Sequence, residues 1–469
     1  MTKLCRLLLT CVAFACLGSA NVEAEEKPRV LVLTDIANEP DDEESLVRFL
    51  VYANEFDIEG LVATTSTWLK NRTREDLIRR QIAAYSAVRP NLMKHAPGYP
   101  SVEQLLAVTT TGQTNFGMPF VGEGKSTAGS KLIITATDHP DPRPLWITIW
   151  GGANTLAQAL SDVRSTRTAA ELKAFVSKLR VYTISDQDDA GPWVRREFPD
   201  LFYIVSPSAP DNGSEYWRAT WTGISGDRHY KNGPGHKLHL VQNPWLEENI
   251  IKNHGPLGAL YPKVAYIMEG DTPSFLGLIN NGLGWAVSPS FGGWGGRYVL
   301  YRASGETRRI WTNNAESRDT VTADNGQTVT SDQATLWRWR EHFQNDFAAR
   351  MDWCVATEYS KANHNPRAVL NGDLTRNVIT LSATNGATLA LSAEGTSDPD
   401  TNSVRVTWWI YPEAGNSSGA TLNAEEGLKT EVRLPQVKRA TRFHVILQAE
   451  DDGDPHLFSY RRAIIEVSP

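Results

Sequence analysis

The chain is poor in cysteine, with 4 in 469 residues, and Cys5, Cys11 and Cys16 all lie close to the start. Those three fall in a segment that reads as an export signal, so Cys354 alone would remain after processing. A processed chain with one cysteine forms no internal disulfide and must be held by its core or by bound metal. Cys354 sits between Trp353 and Val355, the setting of a buried structural thiol. Long apolar runs are also missing. The Leu7 to Leu17 run follows Lys3 and Arg6, is too short to span a bilayer, and leads into small residues with cleavage after Ala20 or Ala24. Ala13-Phe14-Ala15 is a poor lead-in to Cys16 as a lipid-attachment site, so simple cleavage and a secreted or periplasmic destination are expected. Positive charge is in deficit: Lys+Arg is 47 against Asp+Glu 54, a net charge of −7. Loss of Lys3, Arg6 and Glu23 with the signal makes the balance one unit more negative, which gives no support to a general nucleic-acid binder. The chain shows no internal repeat and no low-complexity tract.

What is present is ordinary globular composition, 41% hydrophobic and 22% charged, too apolar for a disordered chain. Tryptophan is plentiful at 15, which suits sugar-stacking platforms as well as core and interface anchors. From Arg29 to about Gly284 short apolar runs alternate with amphipathic helices. Strands are predicted at Arg29 to Leu33, Gly60 to Thr64, Leu145 to Ile149, Leu179 to Ile184, Leu201 to Val205 and Lys263 to Ile267. Helices are predicted at Asp41 to Ala53, Arg74 to Val88, Asn154 to Leu160 and Ala169 to Ser177, and later at Ser331 to Met351. That order means an α/β fold, an open and mostly parallel sheet with helices on both faces. Thr220 to Trp245, rich in Gly, His and aromatics, reads as a long functional loop. After Asn365-Pro366 and the Asn371-Gly372-Asp373 turn, strands alternate in polarity at Thr388 to Ala393, Val404 to Tyr411, Phe443 to Ala449 and Arg462 to Val467. The expected division is a signal at 1–24, an α/β domain at 28–362 and a small β-sandwich at 366–469.

The chemistry concentrates in Thr34-Asp35-Ile36-Ala37-Asn38-Glu39-Pro40-Asp41-Asp42. Asp35 follows the first strand, and Asp41 and Asp42 open the next helix. Helix capping accounts for one or two acids there, not four. Carboxylates converging at the carboxyl end of a strand, where open α/β sheets place ligands, repel one another unless a cation sits among them. Three other segments point to the same rim: Trp150-Gly151-Gly152-Ala153-Asn154, Ser185-Asp186-Gln187-Asp188-Asp189 and Glu269-Gly270-Asp271. A hard cation such as Ca²⁺ fits such oxygen donors.

A strand, then Asp, a short spacer and Asp-Asp opening a helix resembles the calcium signature of the nucleoside hydrolases. Gly151-Gly152-Ala153-Asn154-Thr155-Leu156-Ala157 is similar to their carbonyl-donating loop, and Asp271 to their last metal ligand. Thr34 to Tyr52, Phe56 to Trp68 and Glu269 to Leu276 resemble a secreted branch with a C-terminal Ig-like domain, some members of which are described as cellulose-binding. The resemblance implies an inverting, Ca²⁺-dependent glycosidase. In it Asp35, Asp42, Asp271 and the Trp150 carbonyl bind metal, Asp35 is also the base, and Asp41 partners the sugar diol. Gly270 stands where many of the family place a histidine acid, leaving Glu269 or Asp188 to supply the proton. The gap from Asp35 to Asp41 is longer than theirs and adds Glu39; Thr67-Trp68 replaces a sugar-binding Asn; Glu197-Phe198-Pro199 only looks like their sugar clamp. The candidate substrate-binding residues are Glu39, Trp68, Asn154, Asp186, Asp188 and Trp294. Two readings follow: a secreted hydrolase of an N- or O-ribosyl-like bond, or a non-catalytic carbohydrate (cellulose)-binding protein on the same scaffold. Neither involves nucleic acid or a membrane span.

Overall fold

The computed structural model describes residues 26–37, 39–205, 224, 236–415 and 417–469. Residues 1–24, read above as an export signal, and Thr220 to Gly235 of the long loop apart from Ile224, lie outside the described residues. The first layer is an eight-stranded sheet: β1 Arg29–Thr34, β2 Asp57–Ala63, β3 Thr109–Thr111, β4 Leu145–Ile149, β5 Leu179–Thr183, β6 Phe202–Ile204, β7 Val299–Tyr301 and β8 Ile310–Thr312. The strand order is β3-β2-β1-β4-β5-β6-β8-β7, and only β7 runs antiparallel to its neighbour. All six residues of β1 are buried because it lies mid-sheet with both faces covered. Its alternation divides the core: Val30 and Val32 join one apolar cluster, Leu31 and Leu33 the other.

Chain direction across the sheet reverses at β1 and β4. From β1 the chain goes outward to β2 and β3, and later from β4 to β5 and β6. Such a switch point opens a crevice at the carboxyl ends of the two central strands. The helices that flank it are α1 Asp41–Val51, α2 Glu75–His95, α3 Val102–Ala107, α4 Ala128–Asp138, α5 Asn154–Thr166, α6 Ala169–Ser177 and α7 Ala190–Glu197. Among the described residues no helix is long and apolar enough to cross a membrane.

Two sequence expectations fail here. Lys263 to Ile267 is not a strand: β8 takes the place beside β6, and Tyr266 and Glu269 adopt left-handed φ values of 73° and 47° that strand pairing does not allow. The single helix at Ser331 to Met351 is two, Ala334–Trp337 and Arg340–Trp353. In one continuous helix Trp337 and Trp339 would point about 200° apart; the break lets both be buried.

A hairpin of β9 Asp319–Thr322 and β10 Thr328–Ser331 precedes the second unit. There β11 Ile379–Thr384, β13 Val404–Ile410, β16 Thr441–Asp451 and β17 Phe458–Ser468 form one sheet in the order β11-β17-β16-β13. The second sheet is β12 Thr388–Ser392, β15 Lys429–Arg433 and β14 Thr421–Leu422. Leu391, Trp408, Val432, Phe443, Leu447 and Ile465 pack between them as a small β-sandwich. The sandwich docks on the first layer through aromatics: Tyr411, Phe458 and Tyr460 share a cluster with Trp294, Trp339 and Phe343. Gly282, at φ +96°, lies so close to the Tyr460 carbonyl that a Cβ would overlap it.

Candidate metal centre

Register builds the site. Leu33 pairs with Ile149 and Thr34 with Ala63, so Asp35 emerges between the Trp150-Gly151 and Thr64-Thr65 loops. Gly151 has to be glycine because a Cβ would lie 2.5 Å from Asp35 Oδ1. Gly152 and Gly270 are held in the same way, with a Cβ 2.5 Å from Asp188 Oδ2 and from Asp41 Oδ2 respectively. The Ser66 hydroxyl donates to Asp35 Oδ2 at 2.5 Å, and the Thr34 hydroxyl donates to Asp42. Asp41 and Asp42 open α1, and Pro40, its N-cap, contributes no side-chain bond. Carboxylate oxygens of Asp41, Asp42 and Asp271 lie within 4.8 Å of one another; Asp42 and Asp271 are buried and Asp41 is half-buried.

Burial pushes these acids upward, and their mutual repulsion adds to it. Asp41, Asp42 and Asp271 sit well above the usual carboxylate range, each raised by desolvation and then by its acidic neighbours. Asp35 is raised to about 6 by burial, held back by the Ser66 bond. Buried oxygens without a hydrogen-bond partner collect here: Asp35 Oδ1, Thr64 Oγ1, Asn154 Oδ1, Ser185 Oγ, Gln187 Oε1 and Asp271 Oδ2. An unmade hydrogen bond of this kind costs about 1–3 kcal/mol, and a rim carrying several such oxygens fits a hard cation and a polyhydroxylated ligand.

Residues 29–298 match the family described as cellulose-binding Sde182, nucleoside hydrolase-like domain. Residues 388–467 match the cellulose-binding protein Sde0182, C-terminal domain. The chain belongs to the Sde182 nucleoside hydrolase-like family. A nucleoside hydrolase-related hypothetical protein from Saccharophagus degradans, associated with carbohydrate metabolism, is 38% identical at a TM-score of 0.80, over 94% of this chain and 100% of that one. The effector protein XOO4466 is 11% identical at a TM-score of 0.38, over 71% of this chain and 95% of that one, a likeness that carries no argument. No curated protein matches.

Within this nucleoside hydrolase-like domain, the structure brings Asp35, Asp41, Asp42 and Asp271 to one rim. Glu39 adds to the repulsion at all four. The Trp150 carbonyl faces the same rim and accepts from Gln187 Nε2 at 2.6 Å. Asn154 is buried, with its amide nitrogen on the Asn115 carbonyl at 2.8 Å. Trp68 stands 46% exposed on the loop whose Ser66 holds Asp35.

Four assignments need correction. Glu269 is no proton donor to a leaving group: it is fully buried and accepts from Arg48 Nε at 2.5 Å and Nη2 at 3.0 Å, from Tyr261 at 2.8 Å and from Thr272 at 2.7 Å. Asp188, raised to about 7 by burial, spends both oxygens on backbone amides, at Asn154 from one and at Ala190 and Gly191 from the other. Asp186 is clamped by Arg195 at 2.7 and 2.9 Å. Trp294 is 2% exposed and donates to Tyr460 at 3.3 Å, a joint between the two units and no part of the pocket. Sequence reasoning also missed Ser66 and Thr64, and named Ser185 and Gln187 only as part of a rim segment, without singling them out. The signal was available, since each follows β2 or β5 where the acids follow β1.

Proposed function

We propose that the chain is an exported, Ca²⁺-dependent hydrolase of a glycosidic bond, with Asp35 as base. The observation that carries this reading is Asp35 itself. It pairs one oxygen fixed by Ser66 with a second, buried oxygen left without a partner, and burial raises its affinity for a proton, the direction a base requires. Asp35, Asp42, Asp271 and the Trp150 carbonyl would hold the metal; several oxygens of this kind favour Ca²⁺ over the more rigid demands of Mg²⁺. Bound there, the cation would supply orientation of sugar hydroxyls and a lowered pKa for water. The protein's own groups do the rest. Asp35 Oδ1 takes a proton from water, Ser66 keeps the carboxylate aimed, and Asp41 with Glu39 steadies positive charge gathering on the sugar ring. Gly270 cannot be replaced by a histidine acid without displacing Asp41. Substrates whose leaving group departs without protonation therefore suit this site best.

A second reading is a carbohydrate-binding protein. The engagement of Glu269 and Asp188 favours it, since neither can serve as acid, and both matched family descriptions name cellulose binding. Assaying p-nitrophenyl glycosides and nucleosides, with and without EDTA, separates the two. EDTA-sensitive release supports the hydrolase; no release, with retention on cellulose, supports the binder.

A further inference from the structure

A line of hydrogen bonds crosses between the two units outside the carboxylate site. His95 ends α2, His364 lies in the connecting segment, and Asp400 stands in a turn of the sandwich. His95 Nε2 is 3.0 Å from the Ala356 carbonyl oxygen, which can only accept, so Nε2 carries a proton. His364 Nδ1 is 2.9 Å from one Asp400 oxygen and 3.1 Å from the other, and carries a proton for the same reason. The two remaining nitrogens, His95 Nδ1 and His364 Nε2, face each other at 3.0 Å. The ring centroids are 5.2 Å apart and the planes 22° from parallel, so both nitrogens lie close to the line joining the rings. Two neutral imidazoles with these outer bonds would point bare lone pairs at each other. Any neutral tautomer that avoids this loses the bond to Ala356 or to Asp400. A metal between the nitrogens would hold them about 4 Å apart if bound linearly, at roughly 2.0–2.1 Å each.

We propose that His95 and His364 share one proton and, with Asp400 as counter-ion, form a singly charged latch between the units that opens when the proton is lost at alkaline pH. Charges on every neighbouring element bear on it. Lys94 on α2 and Arg350 on the Arg340–Trp353 helix oppose the charge; Asp400 and Asp398 in the sandwich favour it. Tyr359 stacks on His364 at 3.7 Å, and Trp353 lies against both rings, which shields the pair from water and offers aromatic faces to its charge. Burial is the largest influence on both rings and pulls each below the usual histidine range, with the partner ring's charge adding to it at His95; the shared N–H···N bond, which needs a proton between the rings, opposes that pull. The first proton, held by two rings and a carboxylate, belongs to the pair and not to either ring. With the shared bond and the Asp400 carboxylate outweighing burial, it binds more tightly folded than unfolded, so its stabilisation is complete in mild acid and is lost as pH rises through the pair's own value.

The test is nitrogen-15 NMR of the histidine-labelled full chain between about pH 6 and about pH 9, the range in which a histidine charge is free to change. The expected result is one low-field proton coupled to both rings at neutral pH, lost in a single alkaline step. It should be absent from His95→Gln and His364→Gln. In Asp400→Asn the step should move to lower pH by about a unit, the scale of losing one close opposite charge. In parallel, the Tm gap between wild type and His95→Gln should shrink by half or more across that range. Two neutral rings at neutral pH in the wild type would overturn the proposal. So would a pH-independent Tm gap, or ring signals that respond to Zn²⁺ and chelator.

Discussion

Two buried polar regions of this molecule are built on opposite rules. Where the units join, charges are satisfied: Asp319 accepts from Arg297 at 2.7 Å, Arg338 at 3.1 Å and Tyr411, while Asp346 accepts from Tyr52 at 2.5 Å, Arg350 at 3.2 Å and Asn365 at 2.7 Å. At the rim after β1, four aspartates crowd together with no basic side chain among the groups that shift them. The joint is an architecture for stability, the rim a stored repulsion that only a ligand relieves. One substitution chemistry should therefore have opposite signs in the two places.

The largest stability effect belongs to the joint. Trp294→Ala should cost about 3–5 kcal/mol by opening a cavity between Phe343 and Tyr460. Its metal response, read as the Tm rise on adding Ca²⁺, should persist in the folded fraction. Next comes Asp35→Asn, which keeps an oxygen at the rim and removes the proposed base. Hydrolysis should fall by ~100-fold or more, while Ca²⁺ affinity measured by calorimetry falls much less. Equal loss of both would mean that Asp35 serves the metal only.

Asp42→Asn sharpens the contrast. Removing one of the crowded charges should raise the Tm of metal-free protein, by the equivalent of about 0.5–2 kcal/mol, and abolish the Ca²⁺-induced rise. Asp319→Asn should do the reverse, lowering Tm with the Ca²⁺ response intact. The same contrast has a pH form. Asp35 is raised to about 6 and Asp188 to about 7, so the folded metal-free protein binds these protons more tightly than the unfolded chain. Their stabilisation is full below the ordinary aspartate value of about 3.9 and is lost as pH rises to about 6 and about 7. Tm of the EDTA-treated protein should decline across that window, and Ca²⁺ should flatten the decline. A Tm that instead rises from pH 4 to 7 (about; the window set by these two groups) would show the rim to be stabilising without metal.

The sequence was legible where one strand end meets one loop. Leu145–Ile149 and Ala169–Ser177 have the expected bounds, and Asp35, Asp41 and Asp42 could be placed because β1 and α1 are adjacent in the chain. Partners that arrive from afar were not legible. Arg48 reaches Glu269 across 221 residues, and nothing near Glu269 marks it as neutralised. Trp294 sits in a Gly-rich segment that resembles a pocket wall, yet it faces Tyr460, 166 residues on. Asp271 was placed correctly on the rim by a wrong element, since an irregular segment with left-handed Tyr266 and Glu269 does the work expected of a strand. The edge strand β11 and the central strand β15 of the smaller sheet were missed because their alternation is half-exposed and polar.

The smallest expected effect on stability isolates the solvent-exposed part of the rim. Trp68 is 46% exposed, while its backbone N–H donates to Ser66 Oγ, the group that also holds Asp35. Trp68→Ala leaves that backbone bond in place and opens no buried cavity, so the stability change should stay within about 0.5 kcal/mol. The indole is a face on which a sugar ring can stack, at about 1 kcal/mol or more when water is excluded. Affinity for soluble cello-oligosaccharides, read by quenching of tryptophan fluorescence, should then fall about fivefold or more for a loss near that size, with Ca²⁺ binding unchanged. Trp294→Ala makes the opposite pair of changes, a large stability loss with oligosaccharide affinity kept. If Trp68→Ala binds oligosaccharide as the wild type does, the stacking surface lies elsewhere, and the sandwich, tested by deleting residues 366–469, becomes the place to find it.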